Sequence, residues 1–206
     1  MGGFAIQEFA RRYPELIGAK VVGVGLLASS SGDMRHHSII KGIPDRMFPP
    51  LAESVMAALN RIPAVVEKSR KASTDVAYVV TRRLGYGDDN VRPEYVEFLS
   101  EMIAVTPLEV ISDFYPAFAE FDGRRGLERL SSVETVVIGG EKDSIIPIGH
   151  TRELIARLPG TESLILPESG HMGMIEHHRD YNSVLQRLMD RVERNLRSLH
   201  RNPEAP

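Results

Sequence analysis

Three short apolar runs, each closed by a loop rich in glycine or serine, constrain this chain more than any other feature. They are KVVGVGLLASSSG (20–32), ETVVIGGEKD (134–143) and ESLILPESGH (162–171). Residues 21–28 are apolar almost without a break. Such a run reads as a strand covered on both faces, the kind found in parallel sheets. HTRELIARLP (150–159) separates the last two runs and reads as a helix stopped by Pro159 and Gly160. Residues 180–200 then place Val184, Leu185, Leu188, Val192 and Leu196 on one helical stripe. Strand, helix, strand, helix with short loops predicts parallel βαβ units, hence an α/β class of about three parallel strands flanked by helices.

Two further regions complete the plan. Residues 2–13 put Phe4, Ile6, Phe9 and Ala10 at helical spacing, and Pro14 disfavours helix at Tyr13. Residues 48–121 carry only helical patterns: LAESVMAALNRI, DVAYVVTRRLGYG, PEYVEFLSEMIAV and PLEVISDFYPAFAEF. They predict an all-helical insertion. The expected division is a core of 1–47 and 122–200, a helical cap of 48–121 and a frayed tail of 201–206.

The chain has no cysteine, which removes disulfides, thiol catalysis and thiolate metal sites and fits a cytoplasmic location. The net charge of -3 gives no basic surface for nucleic acid. No apolar run reaches the roughly 18 residues of a membrane span, and the N-terminus lacks an export signal. Oligomeric state stays open.

Two loops follow apolar runs near the end of the chain. GGEKDSIIP presents Asp143, and PESGHMG presents His171. In a parallel sheet, functional groups gather outside the carboxyl ends of the strands. An aspartate and a histidine so placed can make the acid–base half of a nucleophilic triad.

Strand–GEKDxIIP–helix–strand–PESGHM resembles the C-terminal third of an α/β-hydrolase, whose triad runs nucleophile, acid, histidine. That family's nucleophile elbow is often written G-H-S-M-G-G, followed by a helix similar to FAIQEFARRYPEL. Met1-Gly2-Gly3 match its last three letters. The resemblance implies an incomplete α/β-hydrolase fold with Asp143 and His171 catalytic. The backbone N–H of Met1 would be an oxyanion donor, and the serine would stand one residue earlier. It implies hydrolysis of a small apolar ester-like substrate without a cofactor, and no turnover by these 206 residues alone. The cap segment also looks like a group of actinobacterial hydrolases of unsettled substrate. Two alternatives stay open: an epoxide hydrolase or dehalogenase if the nucleophile is aspartate, and a non-catalytic binding protein on the same scaffold. The family's strand order would also leave VVGVGLL as an exposed edge prone to aggregation.

Other residues weigh less. Met34, Phe114, Tyr115, Phe118 and Met172 are candidates for an apolar acyl pocket, against the alternative of ordinary core. Asp33 is a second candidate acid. Ser29, Ser30 and Ser31 read as a turn rather than a nucleophile elbow. Gly23, Gly25 and Ala28 mimic a dinucleotide fingerprint, but inside a strand rather than after one. His36-His37 and His177-His178 lack metal-ligand spacing. Arg82-Arg83 and Arg124-Arg125 read as solvated faces.

Overall fold

A computed structural model of the protein describes residues 1–34, Ser54 and 74–201. The three apolar runs become β1 (Gly23–Leu27), β2 (Glu134–Gly140) and β3 (Glu162–Leu166). They form one parallel sheet in the order β1-β2-β3. Central β2 explains why its sequence does not alternate. Val137 faces a core shared with Ala10, Leu127, Leu130, Leu154 and Leu158. Val136 and Ile138 face a second core built with Tyr181, Val184 and Leu188.

Helices supply both layers. On the first face lie α1 (Gly2–Arg12), which ends before Pro14, and two helices named below. Among the described residues, the first helices after β1 are α2 (Thr74–Gly85), α3 (Pro93–Ala104) and α4 (Leu108–Glu120). They fall where the periodicity predicts them. LAESVMAALNRI, Ser54 excepted, lies outside the described residues, as do His36 and His37. Next come α5 (Arg124–Leu130), α6 (Ile148–Arg157), the single turn α7 (Gly173–Glu176) and α8 (His178–Arg201). α5 and α6 join α1 on the first face, and α8 covers the second. α8 also reaches the amino-terminal ends of two strands: Arg191 pairs with Glu134 at 2.8 Å and with Glu162. The helix runs to Arg201, and residues 202–206 lie outside the described residues.

Two details differ from the sequence reading. β1 is shorter than the run 20–28 because Val21 leaves the ladder. Its carbonyl accepts the Gly18 N–H at 2.8 Å, and it bridges Ile17 in a tight turn. The glycines of β1 pack against α8, where a Cβ on Gly23 would meet Val192 at 2.7 Å. The second difference is α5, a seven-residue helix with a glycine at its third position that no periodicity announces. Arg124 on it pairs with Asp122 at 3.2 Å and with Glu153 at 3.6 Å, while Arg125 is exposed. Among the described residues, no helix is long and apolar enough to cross a membrane.

Candidate active site

The carboxyl ends of β2 and β3 lie side by side, so the loops that leave them are neighbours. Main-chain bonds then join the loops: Glu141 N–H to the Leu166 carbonyl and Lys142 N–H to the Ser169 carbonyl, both 3.0 Å. Lys142 and Glu168 add an ion pair on the solvent side. Asp143 and His171 are carried by these joined segments.

Asp143 is buried, and both of its carboxylate oxygens are engaged. Its Oδ1 accepts the N–H groups of Ile145 and Ile146, each at 2.8 Å. This bends the loop into the start of α6. Its Oδ2 lies 2.9 Å from Nδ1 of His171. A carboxylate whose other oxygen already accepts two amides takes a proton donor at this position, so Nδ1 carries the hydrogen and Nε2 holds the free lone pair. The imidazole is 28% exposed while the aspartate side chain is 1% exposed, so the pair is buried at one end and accessible at the other.

His171 opens on a cavity of about 400 Å³ between α2 and α3. Its walls are almost wholly apolar, with Val80 and Leu84 on α2, Leu99 and Ile103 on α3, and Ile145 and Met172 from the two site loops. Of the five pocket candidates named from the sequence, Met172 lines this cavity. Phe114 and Phe118 line a separate groove between α1 and α4, together with Met1. There Phe4 stacks on Phe121 with ring centroids 4.2 Å apart. Met34 is half-buried and lines neither cavity, and the side chain of Tyr115 lies outside the described residues. The Met1 amine, pushed below its ordinary value by burial, sits at the start of α1.

Asp33 is exposed on left-handed backbone at φ 61°, and the carboxylate bonded to His171 is that of Asp143. Ser29, Ser30 and Ser31 are buried behind the sheet end. The Ser30 hydroxyl accepts the Gly32 N–H at 3.0 Å and lies 2.9 Å from Nδ1 of His150. The Gln7 amide of α1 donates to the Ser30 carbonyl at 2.8 Å, pinning this turn to the first helix. Among the described residues, no three potential ligands gather where they could hold a metal ion. Glu176 and Tyr181, which border the site loops from α7 and α8, are the residues that motif reading missed.

No family model matches the chain. It is 24% identical over 199 residues to an uncharacterized protein of Mycobacterium tuberculosis, a match covering 94% of this chain and 54% of that protein. The chain thus spans about half the length of the curated relatives it matches. Among solved structures it resembles the enol-lactonase of Burkholderia xenovorans, with TM-score 0.66, 19% identity, and 92% of this chain and 63% of that one covered. It likewise resembles a thermophilic esterase from Thermogutta terrifontis, with TM-score 0.65, 22% identity and coverages of 93% and 62%. The three parallel strands, their flanking helices and the loops at their carboxyl ends are part of an α/β-hydrolase fold.

Proposed function

We propose that Asp143 and His171 are the acid and the histidine of a serine-hydrolase site that transfers the acyl group of a small, uncharged, apolar ester to water. The observation that carries this reading is the 2.9 Å bond between His171 Nδ1 and Asp143 Oδ2 at the mouth of an apolar cavity. In this mechanism Asp143 fixes the tautomer and orientation of the ring. Nε2 takes the proton of a serine hydroxyl as it attacks the ester carbon, then returns it to the departing alcohol. Nε2 next removes a proton from the water that attacks the acyl carbon and delivers it to the serine oxygen as the acyl–serine bond breaks. The elbow pattern puts that serine one residue ahead of Met1 and makes the Met1 N–H an oxyanion donor. Residues 48–121 act as the cap, and the cavity between α2 and α3 holds the acyl chain. Names of the structural neighbours, an esterase and an enol-lactonase, support ester chemistry at such a site.

The test uses a polypeptide read in frame through the codons ahead of Met1, assayed with p-nitrophenyl butyrate and labelled with a fluorophosphonate. The expected label falls on a serine directly before Met1, and His171→Ala lowers turnover by roughly 10⁴–10⁶. The 206-residue chain alone is expected to show neither label nor turnover. Full activity in His171→Ala overturns the assignment. An aspartate at the elbow, with turnover of an epoxide or alkyl halide instead, replaces the ester reading.

A further inference from the structure

We propose that Glu176 is a positioning residue for His171, setting the imidazole by tying its loop to the carboxyl end of α2. The inference rests on the reading of His171 as the general base.

Glu176 closes α7, and its carboxylate folds back over the histidine loop. One oxygen accepts the N–H groups of Gly87 and Asp88 at 2.7 and 2.8 Å. The other accepts the N–H of Gly170 at 2.7 Å. Gly170 is the residue directly before His171, while Gly87 and Asp88 directly follow α2 and Tyr86. On the other side of the histidine, Met172 donates its N–H to the Gly85 carbonyl at 2.8 Å. His171 is therefore bracketed. Both brackets lead to the same four residues, 85–88.

The approach is close because both sides lack side chains. A Cβ on Gly87 would stand 2.6 Å from the Gly170 nitrogen, and one on Gly170 would stand 2.6 Å from the Tyr86 carbonyl carbon. Neither backbone can yield at such distances. Tyr86 is buried and donates its hydroxyl to the Tyr95 carbonyl of α3 at 2.6 Å. The α2 terminus is thus locked to the second cavity helix as well.

This arrangement supplies what the Asp143 bond lacks. A single hydrogen bond at Nδ1 leaves the ring free to tilt about that contact. Holding the main chain on both sides of His171 removes most of that freedom, and a misplacement of about 1 Å is enough to cost a base roughly 10²-fold in rate. The anchors are charge-assisted on the Glu176 side, so they are stronger than neutral bonds of the same length. They also couple two functions. Thr81, Leu84 and Gly85 of the same α2 terminus line the cavity that His171 opens on. Occupancy of the cavity and orientation of the base share one rigid joint.

The experiment is deuterium exchange of the 206-residue chain followed by mass spectrometry, at micromolar concentration. It reads backbone amides and, at fixed pH, the C2 position of His171, whose exchange reports the ring's surroundings. In Glu176→Ala, segments 85–88 and 170–172 should exchange about tenfold faster, the scale of lost charge-assisted bonds. The His171 C2 rate should move about twofold or more toward that of Asp143→Asn, as expected when the ring loses its set orientation. Glu176→Gln keeps one acceptor oxygen and should fall between. Gly87→Ala forces the same joint apart without touching charge and should move the C2 rate in the same direction. If Glu176→Ala does not fold, the latter two variants carry the test. An unchanged His171 C2 rate in variants whose amides have become exposed overturns the inference. If wild type and Asp143→Asn already share one C2 rate, the Asp143–His171 pair itself fails, which is a different outcome.

Discussion

At the scale of single residues, Asp143 does two jobs that substitution can separate. Asp143→Ala removes the acceptor for the Ile145 and Ile146 amides as well as the histidine partner. Two amides stranded in a buried turn should cost roughly 2–4 kcal/mol, visible as a lower urea midpoint. Asp143→Asn keeps a carbonyl oxygen for those amides, so its stability loss should be less than half as large. Its NH₂ group would instead face Nδ1 and favour the tautomer with the hydrogen on Nε2, which leaves the proposed base no lone pair there. A urea melt of the two variants side by side checks the ordering. Tyr181 gives a pH test of the same neighbourhood. Burial pushes its phenol from 10 up to about 12, and the carboxylates of Asp143 and Glu176 push the same way. The unfolded chain therefore ionises first. Stability tied to Tyr181 is complete below pH 10 and is lost as pH rises toward 12. The slope is about 1.4 kcal/mol per pH unit. Tyr181→Phe should flatten the fall in urea midpoint between pH 9 and pH 11. Asp143 and His171 were visible in the sequence because each closes an apolar run inside a dense motif, GEKDSIIP and PESGHM. Glu176 was not, because nothing in its flanking residues says that a side chain will fold back onto a loop and reach a helix end 88 residues away.

Among elements, long periodic segments were legible and short contact-defined ones were not. α2, α3, α4, α6 and α8 each carry an apolar stripe over ten residues or more, enough for the 3.6-residue period to show. α5 has seven residues with a glycine in its first turn, so propensity argues against it. It exists because α1 is there. Leu127 and Leu130 are buried in the core with Ala10, and Gly126 lets the two helices touch backbone to backbone. A Cβ on Gly126 would fall on the Gln7 carbonyl oxygen. Gly126→Ala therefore sets two effects against each other. Helix propensity favours alanine by about 1 kcal/mol. Overpacking against main chain costs about 1–3 kcal/mol, and more where nothing flexible can move aside. The second should win, and Tm should fall by roughly 2–8 °C. A rise in Tm would mean that the α1–α5 contact is loose. The same contact explains why the sequence does not announce α5. A glycine that permits close packing and a glycine that breaks a helix look identical until the partner is known.

For the whole molecule, the decisive feature is the outer edge of β1. In a parallel ladder alternate residues direct their N–H and C=O groups to opposite sides. The Ala28 N–H donates to the Ile138 carbonyl at 2.8 Å, so Ala28, Leu26 and Val24 face β2. Gly23, Gly25 and Leu27 therefore face away, and among the described residues no strand pairs with them. The side chains of Val24 and Leu26 are nonetheless packed to 6% and 1% exposure in the core under the first helical layer. Gly25 is exposed at this edge, so its outward N–H and C=O groups are open to a strand of another chain. The 206-residue chain should thus self-associate through this edge. Sedimentation velocity across a concentration series should show growing species. Amide exchange on the same samples should show Gly25 and Leu27 open at low concentration and protected as the larger species form. Protection confined to the aromatic groove of Phe4, Phe114 and Phe118 would instead assign the association to α1 and α4. A monomer at every concentration, melting in one cooperative transition, would show that three strands and two helical layers form a closed unit despite the open edge.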